Sequence, residues 1–250
     1  MSSNGKDVAV LRELARAYAE VCAKPCQDER RDLWRNHNSL RRTRIPVLVR
    51  GGAAWGEIPE VSRRDCQDPF YRPYERQLRL GIYRDRFGDD FIAEPWITVP
   101  AVHRCTGWGV KVERTYAAEP LGSWKTDYPI KSLDDAARLR APRHEIDEPA
   151  TARAAERVGE AVGDLLTVNV DRAPAYRVWS ADLSTDLGYL RGIEHFMLDM
   201  VDHPAWLHEL LGFMSAGVLR THEQAEAAGD WGLGDHENQA MPYARELRDP

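Results

Sequence analysis

Long apolar runs are missing from this 250-residue chain, and no window approaches the roughly 18 consecutive apolar residues that a membrane span needs. Cysteine is scarce: the four present (Cys22, Cys26, Cys66, Cys105) are too few at this length for a disulfide scaffold. Basic excess is also lacking. Against 40 acidic residues stand 34 Lys and Arg, a formal charge of -6, so the clustered basic face that nucleic acid requires is not indicated. The opening "MSSNGKDVAVLRELARAY" has no basic segment leading into an apolar run and shows no secretory signal. These absences point to a cytoplasmic protein kept reduced, with neither nucleic acid nor membrane as partner. No G-x-G-x-x-G, P-loop, G-x-S-x-G or H-E-x-x-H pattern occurs, which removes the usual nucleotide, hydrolase and metalloprotease signatures.

What is present reads as an ordinary globular protein. A hydrophobic content of 43% beside 30% charged residues allows a substantial core at this length. The first 90 residues read as a mainly helical extension. "KDVAVLRELARAYAEVCAK" puts Val10, Leu14, Ala17 and Val21 on one stripe, with Asp7 as a cap and Pro25 as the stop. Residues 27–42 give a second, strongly polar helix; its basic run "DERRDLWRNHNSLRRTR" is interrupted by acids, as on a solvated face. "RIPVLVRGG" reads as a strand entering a tight turn. Residues 70–87 give a third helix through Tyr74, Leu78 and Ile82.

Residues 91–250 change character. "DFIAEPWITVPAVH" is apolar on both parities, as in a strand buried on two faces. "GVKVERTY" alternates like a half-exposed strand, and "SLDDAARLRAP" starts a helix with the Ser132–Asp135 capping pair. An Ala-rich helix, "EPATARAAERVGEAV", is followed by the strand-like "GDLLTVNVD", a succession typical of crossover units around a parallel sheet. Two helices then fold back at Asp202-His203-Pro204. Leu187, Leu190, Ile193, Met197 and Val201 stripe the first, and Leu207, Leu210, Leu211, Met214 and Val218 the second, which runs to Gly229. Glu194 and Asp199 fall on the solvent side of the first stripe.

Four residues are candidates for chemistry. Glu94 heads the buried strand and His103 lies past its far end, where barrel enzymes place reactive groups; a solvated polar residue at a strand end is the bland alternative. Asp182, with Asp186, lies between Asp171 and the next helix, beside Tyr176 and Trp179; helix capping by Asp186 is the structural alternative. His236 lies in "GDHENQAMPY" among Asp235, Glu237 and Asn238, where a His–Glu pair can ligate a metal or share a proton if the stretch is a loop. Cys22 and Cys26 have helical i, i+4 spacing, but Pro25 intervenes and no second pair exists, so single buried thiols are the simpler reading.

"LRGIEHFMLDMVDHPAWLHELLGFM", with "ADLSTDLGY" before it and "AEAAGDWGLGDHE" after it, resembles the uroporphyrinogen decarboxylase superfamily. The resemblance is closer to its decarboxylase-like branch, grouped with corrinoid-dependent methyltransferases. It runs through Leu190, Arg191, Gly192, Glu194, Asp199, Met200, Asp202, Pro204, His208, Leu210, Phe213 and Met214, and less sharply from about residue 44 onward. It implies an α/β fold, a (β/α)8 TIM barrel with a cavity at the carboxyl ends of its strands. Only four or five strand-like runs are visible where eight are needed, so residues 91–250 read as the N-terminal part of an incomplete barrel. The resemblance also implies zinc and a corrinoid as cofactors, and a small methyl donor and a corrinoid protein as partners. The zinc-ligating cysteines would then lie beyond Pro250. The arginine-rich motif with which true decarboxylases grip a tetrapyrrole is absent. Decarboxylation of a tetrapyrrole or another carboxylate is the alternative activity, and a non-catalytic barrel remnant is the alternative of another class.

Overall fold

The computed structural model describes residues 3–119, 122–177, 181–231 and 243–247. In chain order the helices are α1 (Ser3–Cys22), α2 (Cys26–Asn38), α3 (Pro59–Ser62) and α4 (Arg72–Arg84). Strands β1 (Trp96–Pro100), β2 (Glu113–Tyr116) and β3 (Trp124–Asp127) come next, then α5 (Glu148–Val162) and β4 (Thr167–Asp171). The described elements end with α6 (Leu183–Leu190), α7 (Ile193–Asp202) and α8 (Pro204–Ala228). None of the described helices is long and apolar enough to cross a membrane. The chain divides into two units, each assembled from separated stretches: residues 1–101, 148–171 and 232–250, and residues 102–147 and 172–231.

In the first unit β1 and β4 pair in parallel, Trp96 opposite Thr167 through Pro100 opposite Asp171. Parallel strands need a crossover connection, and α5, immediately before β4, packs on both strands. Ile97 and Val99 are fully buried while Trp96 and Thr98 are half-buried and Pro100 is exposed, so β1 alternates rather than hiding both faces. Its inward side joins Leu11, Ala15 and Val21 of α1, Leu78 of α4, and Val158, Ala161 and Val162 of α5 in one core. Helices α1 and α4 approach so closely that a Cβ on Gly81 would lie 2.4 Å from the Tyr18 ring. The first ninety residues therefore share their core with the parallel pair.

The stretch "RIPVLVR" has no regular secondary structure and belongs to no sheet among the described residues. Its alternate N–H groups are taken by side chains: Val47 N donates to Asp90 Oδ2 and Val49 N to Asp89 Oδ2, each at 2.8 Å. The carboxylates supply what a neighbouring strand would have supplied. Asp7 is likewise not the cap of α1. It lies inside the helix, buried, and accepts from the backbone N–H of Gln67 (3.1 Å) and Asp68 (2.8 Å). The basic face of α2 is only partly solvated, because Gln27 and Trp34 are buried and Arg31 reaches Glu94.

The second unit holds the antiparallel pair β2–β3, all but one of whose residues are exposed, and a core beneath the last helices. Trp108, Ile130, Leu139 and Tyr176 meet Leu187 and Leu190 of α6 and Leu207, Leu210, Met214 and Val218 of α8. The stripe of α8 is as its periodicity predicts; Pro204 occupies its first turn and Gly229 ends it at φ 72°. The preceding stripe is not one helix. Gly192, at φ 87°, separates α6 from α7 and turns the second half over. Leu187 and Leu190 are buried, whereas Ile193, Met197 and Val201 are 67%, 55% and 80% exposed. The side of α7 expected to face solvent instead contributes a buried Asp199, 2% exposed.

Candidate functional site

Of the sequence candidates among the described residues, Glu94 belongs to the first unit and His103 and Asp182 to the second. Glu94 is buried in the first unit, where both its oxygens accept hydrogen bonds from Arg31, at 3.2 and 2.8 Å. Such a pair neutralises a carboxylate that the fold has desolvated, a structural role. Asp182 is exposed and caps α6, accepting from Ser184 N at 3.0 Å and from the Ser184 and Thr185 hydroxyls at 2.7 Å. These hydrogen bonds hold its pKa below the usual carboxylate value, led by that from the Ser184 side chain. The cap is thus Asp182, not Asp186. His236 and its neighbours Asp235, Glu237 and Asn238 lie outside the described residues, as does Trp179.

Of the three described candidates, His103 leads to a polar cluster. It bridges to Ile146 in a short antiparallel contact, and its ring lies against that of His144, with centroids 5.5 Å apart and planes inclined by 58°. The His144 side chain is 3% exposed and that of Asp230 is 8% exposed. His144 Nε2 donates to Asp230 Oδ2 at 2.7 Å, and Arg172 Nε donates to Asp230 Oδ1 at 2.6 Å. The backbone N–H of His144 donates to Gln224 Oε1 at 2.9 Å, tying the residue to α8. With Nε2 carrying its hydrogen toward Asp230, Nδ1 of the neutral ring holds a lone pair. That atom is buried and has no hydrogen-bond partner.

Burial alone would raise the pKa of Asp230, but the hydrogen bonds from Arg172 and His144 outweigh it and hold the pKa below normal. The carboxylate therefore stays ionised at neutral pH and fixes the imidazole tautomer. An imidazole oriented in this way offers its second nitrogen to a proton, a protic ligand or a metal ion. Sequence reasoning passed over His144, Arg172 and Asp230. They lie in three segments that no motif links, and His144 and Asp230 are 86 positions apart. The one local signal was Asp230 directly after the helix-stopping Gly229.

A second titratable contact lies in the same unit. Trp108 Nε1 donates to Asp186 Oδ2 at 2.7 Å. Burial raises the pKa of Asp186, and the Trp108 hydrogen bond only partly offsets it. Nearby, His222 Nε2 donates to the Tyr176 carbonyl, and its ring meets Trp231 edge-on at 5.1 Å. In the first unit a cleft of about 480 Å³ is lined by Cys26, Arg30, Asn36, Arg44, Asp89 and Asp90, among others. Its cations are engaged, Arg44 by Asp90 and Arg30 by the Phe91 carbonyl.

The cysteines are all free thiols. Burial pushes Cys22 and Cys66 up to about 12, which leaves them protonated and unreactive at neutral pH. Among the described residues no three His, Cys, Asp or Glu side chains converge as a full protein ligand set for a metal. Comparison of the chain with protein-family models, with curated proteins and with solved structures found no match.

Proposed function

We propose that this chain is the amino-terminal part of a uroporphyrinogen-decarboxylase-like (β/α)8 enzyme that acts as a corrinoid-linked methyltransferase. One observation carries the reading: β1 and β4 are parallel neighbours, α5 lies against both, and polar residues follow each strand in the chain. His103 comes three positions after β1, and Arg172 comes directly after β4. Barrel enzymes take their reactive groups from the segments that follow the carboxyl ends of parallel strands. His103, His144, Arg172 and Asp230 form the polar centre of this proposed site, replacing Glu94 and Asp182.

The zinc that the resemblance implies, held by histidine and cysteine, finds no such set among the described residues, and no step is assigned to it. A bound corrinoid would supply the methyl group, and this chain's polar cluster would orient the small molecule that exchanges it.

The test is a spectrophotometric titration of the full chain with a methylated corrinoid, followed by incubation with a thiol acceptor. Saturable corrinoid binding with appearance of a methyl thioether supports the reading. Carbon dioxide release from a tetrapyrrole, without methyl transfer, replaces it with the decarboxylase. Inactivity in both assays together with absence of saturable corrinoid binding overturns the reading and leaves a non-catalytic remnant.

A further inference from the structure

From the geometry we infer that His103 and His144 form a two-imidazole site for a nitrogen-preferring divalent cation such as Zn²⁺, Ni²⁺ or Co²⁺. The inference stands apart from methyl transfer and needs no corrinoid. It starts from the His144 Nδ1 lone pair, which is buried without a partner. Leaving a buried polar atom unpaired is costly, and that cost is removed when the lone pair is donated to a cation. The opposite nitrogen is already committed to Asp230, itself anchored by Arg172. A ligating histidine characteristically gives its other N–H to a carboxylate, which fixes the ring and strengthens its donor nitrogen.

The spacing of the second ring fits. With a metal–nitrogen bond of about 2.0–2.1 Å, a cation sits ~3.2 Å from each imidazole centre, so two rings at a tetrahedral angle have centres ~5.2 Å apart. The His103 and His144 centroids are 5.5 Å apart and their planes are tilted by 58° rather than stacked. Both ligands come from segments tied together by backbone hydrogen bonds, Arg104 N to Glu145 O (2.9 Å) and Asp147 N to Val102 O (2.7 Å), so the pair is held before a metal arrives. The nearby charges are paired with one another: Arg104 with Asp147, and Arg143 with Glu145 at 3.6 Å. No third protein ligand joins the two rings among the described residues. The remaining coordination positions are therefore open to water or an anionic ligand, as in catalytic rather than structural sites. Imidazole donors select this class of cation over Mg²⁺ and Ca²⁺, which take oxygen.

The experiment is isothermal titration of the full chain with Ni²⁺ and with Zn²⁺, with Mg²⁺ as control. One saturable site per chain is expected for Ni²⁺ and Zn²⁺ and none for Mg²⁺. Asp230→Asn should weaken that site by about 10–100-fold, the usual effect of losing an outer-shell partner. His103→Ala should weaken it at least as much. His103 is only half-buried, so this variant remains informative if the buried His144→Ala fails to fold; a thermal melt of each variant establishes that. Absence of saturable binding, or unchanged affinity in His103→Ala, would overturn the site and leave only scattered surface chelation.

Discussion

Arg191 grips Asp199 through two hydrogen bonds, Nε to Oδ2 at 2.8 Å and Nη2 to Oδ1 at 3.1 Å, with both side chains at least nine-tenths buried. The remaining guanidinium nitrogen donates to the carbonyls of Ile130 (3.3 Å) and Lys131 (2.8 Å). Arginine, glycine and aspartate of the "LRG…LDM" stretch are thus one device: Gly192 makes the bend, and the ion pair locks α7 after it. Removing one partner of a buried ion pair strands the other charge. Asp199→Ala should cost about 3–5 kcal/mol in urea unfolding, and replacing Arg191 and Asp199 together by leucine and methionine should cost clearly less. Equal losses would show that the cost is that of losing the pair itself and not of a stranded charge.

Gly192→Ala tests the bend separately. The backbone there is at φ 87°, and a Cβ would meet the Tyr128 ring at 2.9 Å. Strain of this kind costs about 1–3 kcal/mol, so the urea midpoint should fall without a change in slope. A midpoint equal to that of the parent would exclude strain at this position.

Glu94→Gln separates structure from chemistry at a residue the sequence marked as catalytic. Its carboxylate is committed to Arg31, and loss of one charge-assisted pair costs about 1.5–3 kcal/mol. Thermal stability should therefore drop, while any methyl transfer or metal binding by the folded protein stays at parent level. A folded, stable variant that has lost activity would restore Glu94 to the reaction.

Asp186 makes stability depend on pH with a definite sign. Its folded pKa is raised by burial, so its favourable contribution is fully present below the unfolded value of about 3.9 and is lost as pH rises through the higher folded value. Asp186→Asn can still accept from Trp108 and cannot ionise. Its melting temperature should exceed the parent's at pH 7 and converge with it near pH 3. Asp230 has the opposite sign. Its folded pKa is lowered, so its contribution is present above about 3.9 and disappears as pH falls through the lower folded value. A melting series from pH 2 to 8 on both asparagine variants checks the two signs together.

The exposed side of α7 offers a control. Met197 and Val201 are 55% and 80% exposed, and surface substitutions away from special features stay within about 0.5 kcal/mol. Met197→Lys and Val201→Lys should leave the unfolding midpoint near the parent's. A loss above about 2 kcal/mol would mean that this face is covered in the folded protein.

Much of the local structure was legible because its causes are local. The stripes of α4 and α8 come from side chains three and four apart, whereas on α1 the buried stripe is Leu11, Ala15 and Tyr18, one position on from the expected Val10, Leu14 and Ala17. Pro204 opens α8 and Gly229 closes it because each suits that backbone position. Ser132 and Asp135 form their reciprocal cap as the pattern predicts. The errors arose where a local pattern had two solutions. Leu187 to Val201 continues helical spacing through Gly192, and only the positive φ there, held against Tyr128, decides that the helix is cut. "RIPVLVR" has strand composition, but two distant carboxylates rather than a neighbouring strand take its N–H groups.

The candidate site was the least legible part, since His103 was visible and its neighbours were not. Periodicity, caps and stops are set by side chains a few bonds apart, and on these the sequence alone was sufficient for most helices and for β1 and β4. Which polar groups meet is a different matter. Glu94 goes to Arg31, Asp199 to Arg191, and His144 to Asp230 because burial makes an unpaired charge or lone pair costly. The partner that relieves each cost is found only when chain segments far apart in sequence are packed together.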